Sequence, residues 1–345
     1  MSTIAQHLGL RADIQRVAEH PLVVGTGRVG VEIELENARP LRLTYWNSIR
    51  DGSLRNNGQE YVMRQPLGGV DLFEAAIEID SALHNIHPDA SWRCSTHVHV
   101  DVRDMTVPQF KKFLLLYILF EGVIFECSGI HRYQNNFCPA YGFAQDMIVR
   151  LSRVWDHDDE SFLSGINTGR RSGSRDKYSS LNLLPIFTQG SAEFRGSEPK
   201  YTKGKLLRLC NRLLSLKKLA MDFEGTDQEL ITYCSSVHPS KILIKSMPKK
   251  FEPDPELLQK GVKMAEDVIN LGSFLPPTPT LTIRRDRRLQ WRDRTGQHYP
   301  EGGQIVANEL VNICRNAGLW IGDFLRSEDF NELMRWASEN NVRVE

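Results

Sequence analysis

The sequence predicts an α+β fold in which an antiparallel sheet with one polar face is backed by helices. Two observations predict it. Three segments alternate between hydrophobes and side chains suited to cations or phosphates, and the stretches between them carry the three- and four-residue spacing of buried helix faces. A length of 345 residues leaves room for roughly two domains. Apolar residues make 41%, charged residues 25%, and 43 Lys plus Arg balance 43 Asp plus Glu. Such a composition belongs to an ordinary globular protein rather than a disordered or fibrous one. Neutrality removes any global pull toward nucleic acid or an anionic membrane, so the expected partner is a small molecule.

Each element follows in order. In residues 28–36, RVGVEIELE, the side chains of Val29, Val31, Ile33 and Leu35 share one side of a strand and those of Glu32, Glu34 and Glu36 the other. A turn-prone stretch from Asp51 to Gly58 leads to a short strand, EYVMR, and residues 68–85 read as a helix with Phe73, Ala76, Ile77 and Leu83 inward. The second two-faced strand, THVHVDV at 96–102, sets His97, His99 and Asp101 against Val98, Val100 and Val102. Thr106 with Gln109 fits a capping box, and FKKFLLLYILFEGVIFE continues as a mostly buried helix. Its strongly apolar run, Phe113 to Phe120, is eight residues long, far short of the roughly 20 that span a bilayer, so no membrane span is expected.

Ala144 to Trp155 has helical spacing, and Asp156 to Lys177 reads as a long polar loop or lid. Two extended pieces follow, YSSLNLL and SAEFR, joined by PIFTQG; the second sets Glu193 and Arg195 opposite Ala192 and Phe194. A helix from about Lys205 to Phe223 carries a leucine stripe. These limits define an N-terminal segment 1–20, a domain 21–225 and a mainly helical C-terminal extension 226–345. The extension starts a helix at Asp254 and Pro255, has a Pro-rich linker at 275–282 and a basic run at 284–294, and ends in helices near 303–317 and 328–338. Six scattered cysteines with no C-x-x-C pair read as reduced thiols. The start, MSTIAQHLGLRADIQRVAEH, lacks the pattern of a signal peptide, so a cytoplasmic location is expected.

If the charged strands are neighbours, their polar faces form a bowl lined by carboxylates and imidazoles, which suits Mg²⁺ or Mn²⁺ completed by substrate phosphates. An E-x-E-x-E strand alone is usually a solvated face, and H-x-H alone proves little. Three strands of matching polarity, with little Lys, Ser or Thr to dilute the pattern, are harder to explain as wet surface.

The order G30-V-E-I-E34, D51-G-S53 with Glu60 a few residues on, T96-H-V-H99 and A192-E-F-R195 resembles the glutamine synthetase-like carboxylate-amine ligases, most of all their amidoligase branch, which is common in phages. The similarity runs from Leu22 to Leu219. It implies a glutamine synthetase-like sheet that joins a carboxylate to an amine with ATP and Mg²⁺ (or Mn²⁺) through an acyl phosphate. By the same resemblance the metal ligands are Glu32, Glu34, Glu60, His97 and Glu193, while His99 lies near nucleotide or phosphate and Asn182 on the nucleotide or substrate side, although an Asn at a strand edge also simply satisfies backbone groups. Arg195 is similar to the family's arginine for phosphoryl group or substrate carboxylate, and Glu36 has no firm counterpart. Arg175 and Lys177 are candidates for holding phosphate, and Asp51 for deprotonating the amine, although in D-G-S it also fits a turn residue. The implied substrates are a small-molecule or peptide carboxylate and an amine, with no membrane partner, a homo-oligomer as the family's habit, and the host cytoplasm as the location if a phage encodes the chain. Two alternatives are a metal-dependent hydrolase or phosphotransferase, and a module that binds nucleic acid or a modified nucleotide through the arginines around Trp291.

Overall fold

A computed structural model describes residues 2–12, 16–133, 138–143, 145–167, 178–248 and 251–273. The basic run, the Pro-rich linker, the expected helices near 303–317 and 328–338, Cys314, Arg175 and Lys177 lie outside the described residues.

In chain order the elements are α1 (Ile4–Leu8), β1 (Val29–Leu35), β2 (Trp46–Arg50), β3 (Gln59–Met63), α2 (Gly69–His84), β4 (Thr96–Asp101), α3 (Val107–Ser128), α4 (Gln145–Trp155), α5 (Asp159–Ile166), β5 (Leu181–Asn182), α6 (Ile186–Gln189), β6 (Ser191–Ser197), α7 (Lys203–Asp222), α8 (Asp227–Ser236), α9 (Pro239–Ile242) and α10 (Pro255–Asn270). The strands form one six-stranded antiparallel sheet in the order β2-β3-β1-β4-β6-β5. The α+β expectation therefore holds, and the three two-faced strands are the adjacent trio β1, β4 and β6.

Alternation decides which face is dry. Val29, Val31, Ile33 and Leu35 of β1, Val98 and Val100 of β4, and Ala192 and Phe194 of β6 are all fully or almost fully buried. They meet a helical layer in which α7 packs on β4, α3 and α2, while α3 packs on β6. Burying such side chains contributes about 1.5–3 kcal/mol each, the main source of stability here. The capping box at Thr106 is present: its hydroxyl accepts from the Gln109 N–H and the Gln109 side chain accepts from the Thr106 N–H. On the far side of α3, α10 comes so close that a Cβ at Gly261 would stand 2.0 Å from the Leu119 carbonyl oxygen. Among the described residues no helix is long and apolar enough to cross a membrane.

Three expectations change. The buried stripe of α2 is Leu72, Ala75, Ala76, Ile79 and Leu83, whereas Ile77 is 39% exposed and Phe73 only half-buried. Helical phase is the cause, since residues 73 and 77 form a row beside that stripe, and Phe73 is covered instead by the stacked ring of His20 at 3.9 Å. The start of the expected loop at 156–177 is helical: Asp158 caps α5 by accepting from the Ser161 N–H, and Phe162 and Leu163 are buried beneath a run of acids. PIFTQG is not a plain connector either, because Ile186–Gln189 form a helical turn ended by Gly190 at φ 72°.

Candidate active site

The polar face of the sheet gathers its side chains by register. Glu34 stands opposite Glu60, Glu32 opposite His97, and His99 faces Gly30 on one side and Glu193 on the other, with Asn182 beyond it. Glycine at position 30 leaves a bare backbone beside the His99 Cβ.

Glu193 is 4% exposed. Its Oε2 accepts from the Asn182 amide at 2.7 Å and its Oε1 accepts from the Arg195 guanidinium. His97, equally buried, has both ring nitrogens engaged: Nδ1 lies 3.2 Å from Glu32 Oε2, and Nε2 lies 2.7 Å from Ser95 Oγ. Ser95 in turn donates to Glu34. His99 differs. Its Nδ1 sits 3.2 Å from Ser191 Oγ, while its buried Nε2, 3.2 Å from Glu32 Oε1 and 3.9 Å from Glu193 Oε1, has no aligned hydrogen bond. A ring nitrogen set between two carboxylates without an aligned hydrogen bond is an arrangement a divalent cation satisfies. One ligand atom from each of Glu32, His99 and Glu193 lies within 4.8 Å of the others.

The titrations express this crowding of charge. For Glu32, burial alone would raise the pKa, but the imidazoles of His97 and His99 hold it well below the usual carboxylate range. His99 is shifted upward because Glu32 and Glu193 outweigh the opposing effect of burial. Glu60 is pushed up to about 8, first by burial and then by the charges of Glu32, Glu34 and Asp51. A carboxyl group whose pKa is raised by burial and by three neighbouring acids is a position where a cation would displace the proton.

The remaining residues fall into place around this centre. Asp51 is near enough to raise Glu60, yet both its oxygens accept from Ser53, one from the N–H at 2.7 Å and one from the hydroxyl at 3.0 Å. That is the geometry of a turn residue. Glu36 is buried and accepts from the Arg55 N–H, so it ties the 51–58 loop to β1. Asp101, although in phase with the histidines, pairs with Arg103 at 2.7 Å. Ser95 and Ser191 escaped the sequence reading. Ser95 continues the alternation of His97 and His99 by two residues, and extending that phase would have found it.

The fold and the site together define a sheet-based centre of carboxylates and imidazoles suited to a hard divalent cation. Residues 66–216 match the model of a protein family described as "Putative amidoligase enzyme". The resemblance read from the sequence is thus supported over α2, β4, α3, β5 and β6, which supply both histidines, Asn182, Glu193 and Arg195; the carboxylates of β1 and β3 precede the matched span. No curated protein matches the chain.

Proposed function

We propose that the chain is a metal-assisted, ATP-dependent carboxylate-amine ligase on a glutamine synthetase-like sheet. The observation that carries this reading is the convergence of Glu32, His99 and Glu193, with no aligned hydrogen bond at Nε2 of His99, on a chain whose residues 66–216 match an amidoligase family. Glu32, His99 and Glu193 would hold a first cation, His99 taking the ligand role that the resemblance gave to His97, whose two ring nitrogens are engaged by Glu32 and Ser95; Glu34 and Glu60 complete the carboxylate lining beside it. A bound Mg²⁺ or Mn²⁺ would neutralise phosphate oxygens during phosphoryl transfer.

Joining an acid to an amine in water requires an activated acid. In the proposed reaction the substrate carboxylate attacks the γ-phosphorus of ATP, giving an acyl phosphate and ADP. The amine then adds to the acyl carbon, phosphate departs with the bonding pair, and the nitrogen loses a proton to form the amide. Arg195 supplies a fixed positive group beside Glu193, suited to charge growing on phosphoryl oxygens. His97 orients Glu32 and, with Ser95, Glu34, leaving little rotational freedom to lose when substrates bind. Asn182 fixes the second oxygen of Glu193.

Trapping tests the reading directly. With ATP, Mg²⁺, pooled amino and dicarboxylic acids, and hydroxylamine as the amine, the protein should form hydroxamates, detected by their ferric colour. Hydroxamate formation without phosphate release from ATP would refute the acyl-phosphate route. ATP hydrolysis indifferent to both acid and amine would favour the phosphotransferase alternative.

A further inference from the structure

A fully buried carboxylate lies behind the sheet, outside the centre described above. Glu121 projects from the middle of α3 with zero exposure. Its Oε1 accepts from the Tyr141 N–H at 2.9 Å, the Ser180 hydroxyl at 2.5 Å and the Tyr117 hydroxyl at 3.3 Å; its Oε2 accepts from the Gly142 N–H at 3.0 Å. Sequestering an acid costs several kcal/mol unless such partners are supplied. Apart from Tyr117, which lies one turn back on α3 itself, the partners belong to segments that brace β5.

That strand needs bracing. It is two residues long and forms the edge of the sheet, so its own ladder holds it weakly. Ser180 compensates: its N–H donates to the Pro139 carbonyl at 3.0 Å, its carbonyl accepts from the Arg195 N–H at 2.8 Å, and its hydroxyl reaches Glu121. Tyr141, held through its N–H by Glu121, donates its own hydroxyl to the Leu181 carbonyl at 3.1 Å. Two residues beyond Ser180, the Asn182 amide holds Glu193 Oε2. Asn182 is itself fixed, because its Oδ1 accepts from the Leu184 N–H at 3.1 Å.

We infer that Glu121 is a positioning residue for the active centre: by clamping Ser180 and the 141–142 turn it fixes β5, so that Asn182 orients the Glu193 carboxylate toward His99. The inference rests on the metal-centre reading for its consequence, and on the hydrogen bonds alone for its geometry. Partners that orient a metal ligand typically change metal affinity by about 10- to 100-fold when removed.

The test uses the full-length chain with Glu121→Gln and Ser180→Ala, crystal structures of the metal-free proteins, and calorimetric titration with Mn²⁺. Glutamine keeps the shape but places an NH₂ against one of the donor N–H groups. In both variants the Asn182–Glu193 hydrogen bond should be lost or lengthened beyond hydrogen-bonding distance, and Mn²⁺ should bind at least about tenfold more weakly. Should Glu121→Gln fail to fold, Ser180→Ala, which removes a single hydroxyl, decides alone. Retention of that hydrogen bond in Ser180→Ala, with Mn²⁺ affinity within twofold of the parent, would overturn the inference and leave Glu121 a purely structural residue. If the parent protein takes up no Mn²⁺ while the hydrogen bond still shifts in the variants, the metal reading fails and the positioning role stands.

Discussion

Replacing Glu193 by glutamine separates chemistry from architecture. The native carboxylate accepts from Asn182 and from Arg195, so glutamine, with one oxygen, keeps one of these bonds and turns an NH₂ toward the other donor. A hydrogen bond to a charged group contributes about 1.5–3 kcal/mol. Against that loss, removing a negative charge relieves the repulsion with Glu32 across His99. The net change should be no more than about 3 kcal/mol, within the roughly 5–15 kcal/mol that holds a domain folded. Function should respond far more. At a Mn²⁺ concentration a hundredfold above the dissociation constant, binding stabilises the parent by about 2.7 kcal/mol; a hundredfold weaker site leaves about 0.4 kcal/mol. Thermal unfolding of parent and variant, with Mn²⁺ and with a chelator, reads both quantities. The metal-dependent shift should nearly vanish in Glu193→Gln while the chelated Tm falls by less than about 10 °C. An undiminished shift would refute the ligand assignment, and a variant that cannot fold would make Glu193 structural.

Further outcomes follow from the same geometry. Glu60, raised to about 8, binds a proton in the folded state that the unfolded chain has released above its ordinary value. The metal-free protein should therefore lose stability as pH rises from about 5 to 8, with the raised His99 adding a loss of the same sign above its ordinary value. Glu60→Gln should flatten that slope in pH-dependent thermal melts, and Mn²⁺ affinity of the parent should strengthen over the same window as the proton is displaced. Asp51→Asn, whose native oxygens both serve Ser53, should lower kcat less than about fivefold; a loss of the 10²–10⁴-fold typical of a general base would return Asp51 to catalysis. Gly261→Ala should push α10 off the Leu119 carbonyl, costing about 1–3 kcal/mol, and should expose the 251–273 region to trypsin while sparing the sheet.

How much of this was legible depended on periodicity. β1, β4 and β6 each carry at least five alternating residues with one dry side, so both their existence and the identity of the polar face could be read off. The pairing order needed the structure, since alternation says which side chains share a face and nothing about which strand lies next to which. The two-residue β5 is below the length at which any period exists, and its place is set by Glu121, Ser180 and Tyr141, contacts that span 20 to 59 positions along the chain. α5 was hidden because the acids before it read as loop, although an Asp cap followed by acidic first-turn residues is also how a helix starts. The roles of the two histidines are a matter of geometry: identical in the T-H-V-H sequence, they differ because Ser95 reaches Nε2 of His97 while Nε2 of His99 faces the carboxylates of Glu32 and Glu193 without an aligned hydrogen bond.

In the proposed reaction this polar sheet face activates a carboxylate with ATP and passes it to an amine. Nucleotide products resolved by chromatography, with Mg²⁺ and pooled acids in the presence and absence of pooled amines, test it most directly. ADP and phosphate should form only with acid and amine together, and their formation should disappear in Glu193→Gln. AMP and pyrophosphate as products, or equal ADP formation by parent and variant, would contradict the proposed reaction.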